Sequence, residues 1–288
     1  MNRIPESELI INKDGSIYHL NLKPGQIARD IITVGDPDRV ERVAKHFDSI
    51  EFEVSKREFK TVTGSYKGKR LTVISTGIGT DNIDIVFTEL DALVNVEFET
   101  RRKKEQHTKL RFYRIGTSGS LISELKINTI LISEMAVGLD GLMHYYERTQ
   151  STAEDIISEI AKEALSTLPN IYPYASSASK ELVEQFSQIG MKGITVTATG
   201  FYGPQGRFVI GSPKSSTFID DLASQKYGQL RFTNLEMETA GIYGMSTLLG
   251  HQAISINAII ANREDQTFSK KGGQLVDELI VKVLDIIC

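Results

Sequence analysis

Three short segments of this 288-residue sequence join small residues to groups that can grip an anion. Gly35-Asp36-Pro37-Asp38-Arg39 and Arg114-Ile115-Gly116-Thr117-Ser118-Gly119 each carry an arginine, and Ser75-Thr76-Gly77-Ile78-Gly79 is rich in small residues. Each reads as a strand end followed by a small-residue turn. Backbone N–H groups in such a turn can face an oxyanion, and glycine allows close approach. Arginine adds a planar fork of donors that matches phosphate oxygens. Thr117 can add a hydroxyl. Taken singly, each segment is also an ordinary tight turn with a surface arginine. Taken together they imply an oxyanion pocket, in which no metal is required if the arginines carry the charge.

Two further constellations bear on what the anion would meet. In Phe201-Tyr202-Gly203-Pro204-Gln205-Gly206-Arg207, glutamine offers both a donor and an acceptor, and arginine only donors. A pyrimidine-dione edge presents one N–H between two carbonyls, a pattern Gln205 and Arg207 can meet while Phe201 stacks on the ring. A polar turn is the plainer alternative. In Asn234-Leu235-Glu236-Met237-Glu238, a carboxylate could grip vicinal hydroxyls of a sugar. Alternatively, both acids are first-turn residues favoured by a helix dipole, and Met237 is core filling.

The elements that must position these groups alternate along the chain. Ile31–Val34 reads as a buried strand, after which Asp36 caps a helix with Pro37 at its first position. Phe59–Ser75 reads as a hairpin turning at Tyr66–Lys69. Asp81 is expected to cap a helix with Ile85, Leu90 and Leu93 on its apolar face. Strands are expected at Phe112–Gly116, Thr129–Ser133, Gly193–Thr199 and Ala253–Ala261. Helices are expected at Ala153–Leu168, Ser179–Ile189, Glu236–Leu249 and Gly273–Ile287. Such alternation indicates an α/β fold with a mixed or mostly parallel sheet, whose ligands bind beyond the carboxyl ends of the strands. No linker or internal repeat divides the chain. The charged stretch Glu97–Arg111 reads as a solvated helix end and loop.

Several chemistries are excluded. Gly77-Ile78-Gly79 begins like a dinucleotide fingerprint but has Asn82 at the sixth position. There is no P-loop. Gly116–Ser120 ends in serine where a nucleophile elbow needs glycine. His19, His46, His107, His144 and His251 are scattered without metal-ligand spacing. The single cysteine, Cys288, permits no internal disulfide. A net charge of −4 argues against a general nucleic-acid binder. The apolar runs are far shorter than the roughly 20 residues a membrane span needs. Without a basic-then-apolar leader at the start, a cytoplasmic protein is expected.

In order along the chain, GDPDRV (35–40), STGIG (75–79), RIGTSG (114–119), FYGPQGR (201–207), NLEMET (234–239) and ANR (261–263) resemble the nucleoside phosphorylase-I family, and specifically its uridine phosphorylase branch. The resemblance implies a single domain over residues 1–288, with a central twisted mixed β-sheet flanked by helices. It implies a pentosyltransferase that cleaves uridine with phosphate, reversibly, to uracil and ribose 1-phosphate. Gly35, Arg39, Arg114 and Thr117 match the family's phosphate site. Arg57 resembles an arginine that a neighbouring subunit contributes to the phosphate. His19 resembles a histidine that reaches the ribose 5′-hydroxyl across the same interface. Met237 and Glu238 match ribose contacts, and Phe201, Gln205 and Arg207 match base contacts. Arg263 resembles a mobile arginine near the base. Arg114, Glu238, Gln205 and Arg207 are the expected catalytic set.

The partners implied are uridine, phosphate and at least one more copy of the chain, with no nucleic acid and no membrane. Phosphate is a co-substrate, and no metal or other cofactor is expected. Some relatives hold a monovalent cation between subunits near the Glu58 position. Where many relatives have small residues and a serine after Gly79, this chain reads Thr80-Asp81-Asn82. The alternatives are a purine nucleoside phosphorylase or a nucleosidase on the same scaffold, and a non-catalytic nucleoside-binding protein. The phosphate-site arginines argue against a hydrolase. The family's purine branch has an aspartate at or next to the Asn262 position, whereas here Asp265 is offset from it.

Overall fold

The computed structural model describes residues 3–288. Its first half runs β1 (Asp30–Val34), α1 (Pro37–Ala44), β2 (Ser49–Lys56), β3 (Phe59–Tyr66), β4 (Lys69–Ser75), α2 (Thr80–Asn95), β5 (Val96–Glu97), β6 (Arg102–Lys103), β7 (Arg111–Ser120) and β8 (Ile130–Gly138). There follow α3 (Thr152–Ala164), β9 (Tyr174–Ser177), α4 (Lys180–Phe186), β10 (Met191–Thr197), α5 (Phe218–Ala223) and β11 (Lys226–Tyr227). The chain ends with β12 (Leu230–Glu236), α6 (Thr239–Leu248), β13 (Gln252–Asn262), β14 (Thr267–Phe268) and α7 (Gly272–Ile287).

One mixed sheet organises these elements, in the order β11-β12-β10-β8-β13-β7-β1-β4-β3-β2. The fold is the single α/β domain that the alternating pattern and the resemblance imply. β1 is buried along its whole length and pairs in parallel with both β4 and β7, as a near-continuous apolar strand should. The sheet also closes on itself. The end of β7 pairs with β12, Leu235 opposite Gly119 and Asn234 opposite Ser120. Strands β12, β10, β8, β13 and β7 thus form a ring. No local signal announces this closure, because it pairs strands more than a hundred residues apart.

Local chemistry accounts for most element boundaries. Asp36 caps α1 by accepting the Asp38 N–H, with Pro37 in the first turn. Ser151 and Glu154 form a reciprocal capping box at α3. α2 differs from expectation. Its cap position is Gly79 and Asp81 lies inside the first turn, where a carboxylate complements the helix dipole without capping it. Ile83, Val86, Phe87, Leu90 and Leu93 form its buried face, while Ile85 is only partly buried. Beyond Asn95 the charged stretch is a two-stranded ribbon, β5 with β6, followed by a loop.

Two corrections matter for the site. Arg114–Gly119 is not a turn after a strand, since β7 continues to Ser120. Glu236 does not begin a helix either. It ends β12, and α6 starts at Thr239. In both places pairing with distant strands overrides the local small-residue and acidic signals.

Candidate active site

A cleft of about 660 Å³ opens at the ends of β1, β4, β7 and β12, within the usual range of about 300–1,000 Å³ for small-molecule sites. It gathers Gly35, Arg39, Arg114, Thr117, Phe201, Gln205, Arg207, Met237 and Glu238. Segments spread over two hundred residues therefore meet in one place.

Arg114 sits at the floor. Its Nη2 lies 2.6 Å from Glu238 Oε2 and 2.9 Å from Glu236 Oε2. Its Nη1 donates to Asn257 Oδ1 at 2.9 Å and to Ser255 Oγ at 3.4 Å. The side chain lies across Gly116, where an added Cβ would meet Arg114 Nη1 at 1.8 Å. Glycine there is a requirement of space. Burial opposes the charge on Arg114, but the two carboxylates outweigh it, so its pKa lies above the ordinary guanidinium value.

Glu236 and Glu238 divide the work. Glu236 accepts the Thr197 hydroxyl at 2.6 Å and the backbone N–H groups of Glu238 and Thr239 at 3.0 Å. It therefore caps the opening of α6 and holds the Met237–Glu238 turn. Glu238 Oε1 accepts the Gly79 N–H at 2.8 Å. Gly79 has φ +98°, a left-handed conformation that favours glycine. Burial raises the Glu238 pKa, with Glu236 adding to the shift and Arg114 opposing it.

Arg39, from the first turn of α1, donates to the Ile115 carbonyl at 3.2 Å. Burial, with Arg114 nearby, lowers its pKa. Arg39 and Arg114 bring two cations to one end of the cleft, beside the Gly35 turn and the Thr117 hydroxyl.

At the other end Phe201 is half exposed. The Arg207 guanidinium lies 4.1 Å from its ring centroid, a cation–π contact. Arg207 Nη1 also donates to Gln205 Oε1 at 2.5 Å and to the Phe201 carbonyl at 2.9 Å. Because arginine only donates, the Gln205 oxygen must face Arg207. The edge therefore reads donor, acceptor, donor from Gln205 Nε2 through Gln205 Oε1 to Arg207. Burial, with Arg263 next, lowers the Arg207 pKa.

Three expected residues lie elsewhere. Arg263 does not line the cleft; its two Nη atoms donate to the carbonyls of Gln205 and Gly206, so it braces the 201–207 loop from behind. Arg57 is exposed at the β2–β3 turn, with φ +54°. His19 also stands off the cleft. Its Nδ1 lies 2.7 Å from Glu89 Oε1, and the same carboxylate accepts the backbone N–H of His19 and of Leu20.

Glu58, Asn82, Ile260 and Phe268 also line the cleft. Ile260 and Phe268 carried no site expectation, and Glu58 and Asn82 were noted as site residues only beside the monovalent-cation position. Phe268 is 71% exposed, and its one sequence signal is being a lone aromatic in the polar stretch 263–271. Asn257 has a clearer signal, as a polar residue within the apolar run of β13.

Where β7 and β13 begin, Asp91, His107 and His251 converge, a grouping that sequence spacing did not reveal. His251 Nδ1 accepts the Leu110 N–H at 3.3 Å, which puts the ring proton on Nε2, 3.2 Å from Asp91 Oδ1. Together with the His107 Nε2–Leu249 carbonyl contact at 3.0 Å, the His251 contact ties the charged loop to the α6–β13 corner.

Comparison with known proteins places the chain in a family. The profile of the phosphorylase superfamily matches residues 29–285. The chain is 30% identical over 283 residues to the uridine phosphorylase of Thermococcus kodakarensis, covering 94% of this chain and 88% of that protein. It is 32% identical over 253 residues to the uridine phosphorylase of Haemophilus influenzae, covering 87% and 88%. The crystal structure of a Trypanosoma brucei nucleoside phosphorylase that shows uridine phosphorylase activity superposes with a TM-score of 0.87 at 29% identity, over 96% of this chain and 98% of that one. On the match across nearly its whole length, the chain belongs to the phosphorylase superfamily, in the nucleoside phosphorylase-I family.

Proposed function

We propose that this chain is a uridine phosphorylase, which converts uridine and phosphate reversibly to uracil and ribose 1-phosphate. One observation carries the reading. The donor–acceptor–donor edge of Gln205 and Arg207 shares a cleft with the paired cations Arg39 and Arg114 and the carboxylate of Glu238. The imide edge of uracil is its complement, with an N–H between two carbonyls. The named activities of the relatives support the same reaction.

Phosphate lies on Arg39, Arg114, Thr117 and the Gly35 turn, beneath the anomeric carbon. One of its oxygens forms the new bond to that carbon as the bond to uracil N1 breaks, through an oxocarbenium-like sugar. The bonding pair passes to uracil, which then takes a proton. Gln205 and Arg207 face that growing charge, so their bonds strengthen in the transition state. Holding phosphate in place supplies the proximity effect. Met237 and Glu238 orient the ribose. No side-chain nucleophile is required. Arg57 and His19 stand away from their own chain's cleft, which fits a role in a neighbour's. An assembly of at least two copies in the cytoplasm is part of the proposal.

The geometry disfavours a purine substrate. Asn262 Nδ2 donates to the carbonyls of Ile122 and Leu125, and its Oδ1 accepts the Asp265 N–H. Asp265 itself pairs with Lys126 at 2.9 Å. Neither side chain is available to protonate a purine.

The test is uracil release from uridine with and without phosphate, with inosine run in parallel. Phosphate-dependent cleavage of uridine alone is expected. Cleavage of inosine would overturn the base-site argument, and cleavage without phosphate would make the enzyme a hydrolase. Binding of uridine without cleavage would leave a binding protein. Gln205→Ala, measured on the same reaction, should lower kcat/KM for uridine about tenfold or more, the worth of one or two hydrogen bonds. Unchanged kinetics would remove Gln205 from the base site.

A further inference from the structure

The interior of the five-strand ring is polar where an apolar core would be expected. Asn257, Ser133, Thr195 and Asn234 are all fully buried there. They come one each from β13, β8, β10 and β12. Arg114 Nη1 donates to Asn257 Oδ1 at 2.9 Å, and Asn257 Nδ2 donates to Ser133 Oγ at 3.1 Å. Ser133 Oγ lies 2.5 Å from Thr195 Oγ1. The Thr195 hydroxyl donates to Asn234 Oδ1 at 2.8 Å, and Asn234 Nδ2 donates to Ser118 Oγ at 2.9 Å. Ser118 is on β7 again, four residues from Arg114. The chain of bonds goes once around the ring.

Elementary chemistry sets the direction of the links from Arg114 to Ser133, and the others follow from the Asn234 amide, whose oxygen faces the Thr195 and Thr233 hydroxyls. A guanidinium can only donate, so the Asn257 amide must turn its oxygen to Arg114 and its NH₂ to Ser133. Thr195 spends its single hydrogen on Asn234, so Ser133 is the donor to Thr195. Asn234 receives at its oxygen and gives from its nitrogen to Ser118. The hydrogen of the Ser118 hydroxyl is thereby left for another acceptor, on a residue that lines the cleft. Buried networks in which each member is satisfied are stiff, because any rotation leaves a desolvated polar group unpaired.

We propose that Asn257 is a positioning residue for Arg114, and that Ser133, Thr195 and Asn234 hold Asn257 in the orientation this requires. The proposal rests on the reading of Arg114 as a phosphate ligand. The carboxylates of Glu236 and Glu238 hold Nη2; Asn257 holds Nη1 and so fixes the rotation of the guanidinium plane. Without Asn257, Nη1 would keep only the longer contact with Ser255 Oγ at 3.4 Å, and the guanidinium could swing toward its carboxylates and away from an incoming anion. Bidentate recognition of phosphate depends on that plane.

The test compares wild type with Asn257→Leu, Ser133→Ala and the double variant, each checked by thermal melting. Steady-state kinetics would vary uridine and phosphate separately. Asn257→Leu keeps the volume and removes the acceptor; phosphate KM should rise about tenfold or more, the loss expected for a hydrogen bond to a charged group. Uridine KM should change less than about twofold. Ser133→Ala touches neither Arg114 nor substrate, and should raise phosphate KM about two- to fivefold. In the Asn257→Leu background it should add nothing, because its effect runs through Asn257. Should Asn257→Leu fail to fold, Ser133→Ala still decides the matter through the split between the two KM values. Unchanged phosphate KM, or equal rises for both substrates, would overturn the proposal. A wild type that needs no phosphate would instead overturn the assignment of Arg114 itself.

Discussion

Arg114→Ala should lower phosphate-dependent kcat/KM by about 10³-fold, the upper end of what removing one preorganised transition-state donor costs. The residue supplies charge that no neighbour can replace, since Arg39 approaches from α1 and meets the Ile115 carbonyl instead. Stability should fall as well. Two buried carboxylates would lose their cation, a change that costs about 3–5 kcal/mol for a broken buried pair. Glu238 already sits above the usual carboxylate range through burial, and Arg114 is what holds it down. With Arg114 gone, its folded pKa rises further above the unfolded value. A carboxyl raised in this way favours the folded state below the unfolded pKa, and that contribution is lost as pH rises through the folded pKa. The melting deficit of Arg114→Ala relative to wild type should therefore shrink as pH is lowered from about 8 toward about 5. Melting curves across that range check it. A deficit that does not vary with pH would mean that Arg114 is not what keeps Glu238 ionised.

Glu238→Ala should lower kcat/KM for uridine about a hundredfold, near the upper limit for a hydrogen bond to a charged group. The same change should cost 2′-deoxyuridine about tenfold less, if the 2′-hydroxyl is the main partner of this carboxylate. Equal losses on the two substrates would assign Glu238 to another contact. Phosphate should respond differently. Glu238 now occupies the Gly79 N–H and one nitrogen of Arg114, both donors suited to an anion. Removing it should leave phosphate KM unchanged or lower it. A rise would show that Glu238 also shapes the anion site, for instance by orienting Arg114. The two variants thus separate the sugar contact from the phosphate contact, although their side chains touch.

Much of the proposed site can be read from residue type and spacing. Arginine beside small residues marks an anion site by its chemistry, and the Gln205–Arg207 pair presents a pattern that suits one kind of base edge. The expected fold class and most helices also follow from local signals, such as Asp36 with Pro37 and the box of Ser151 with Glu154. Other residues were not legible in this way. Arg263 stands in the right segment, yet its side chain turns to backbone carbonyls behind the base-side loop. Phe268 lines the cleft from a two-residue strand too short to carry a periodic signal.

Residue types mark which groups suit an anion, a sugar and a base, and the hydrophobic pattern marks the strands and helices that alternate around them. Residue type and local spacing carry that information, since capping, turn chemistry and hydrophobic period act over a few residues. How these groups meet depends on pairing between strands far apart in the chain. RIGTSG became the interior of β7 and not a turn, because β13, β1 and β12 pair with it along its length. Glu236 became a strand end that holds Glu238, because the closure of β12 on β7 brings both carboxylates to Arg114. The polar interior of the ring exists for the same reason. Asn234 and Asn257 look misplaced in their own strands until neighbouring strands, and for Asn234 also the closure onto Ser118 of β7, supply their partners, and pairing over such distances leaves no local trace.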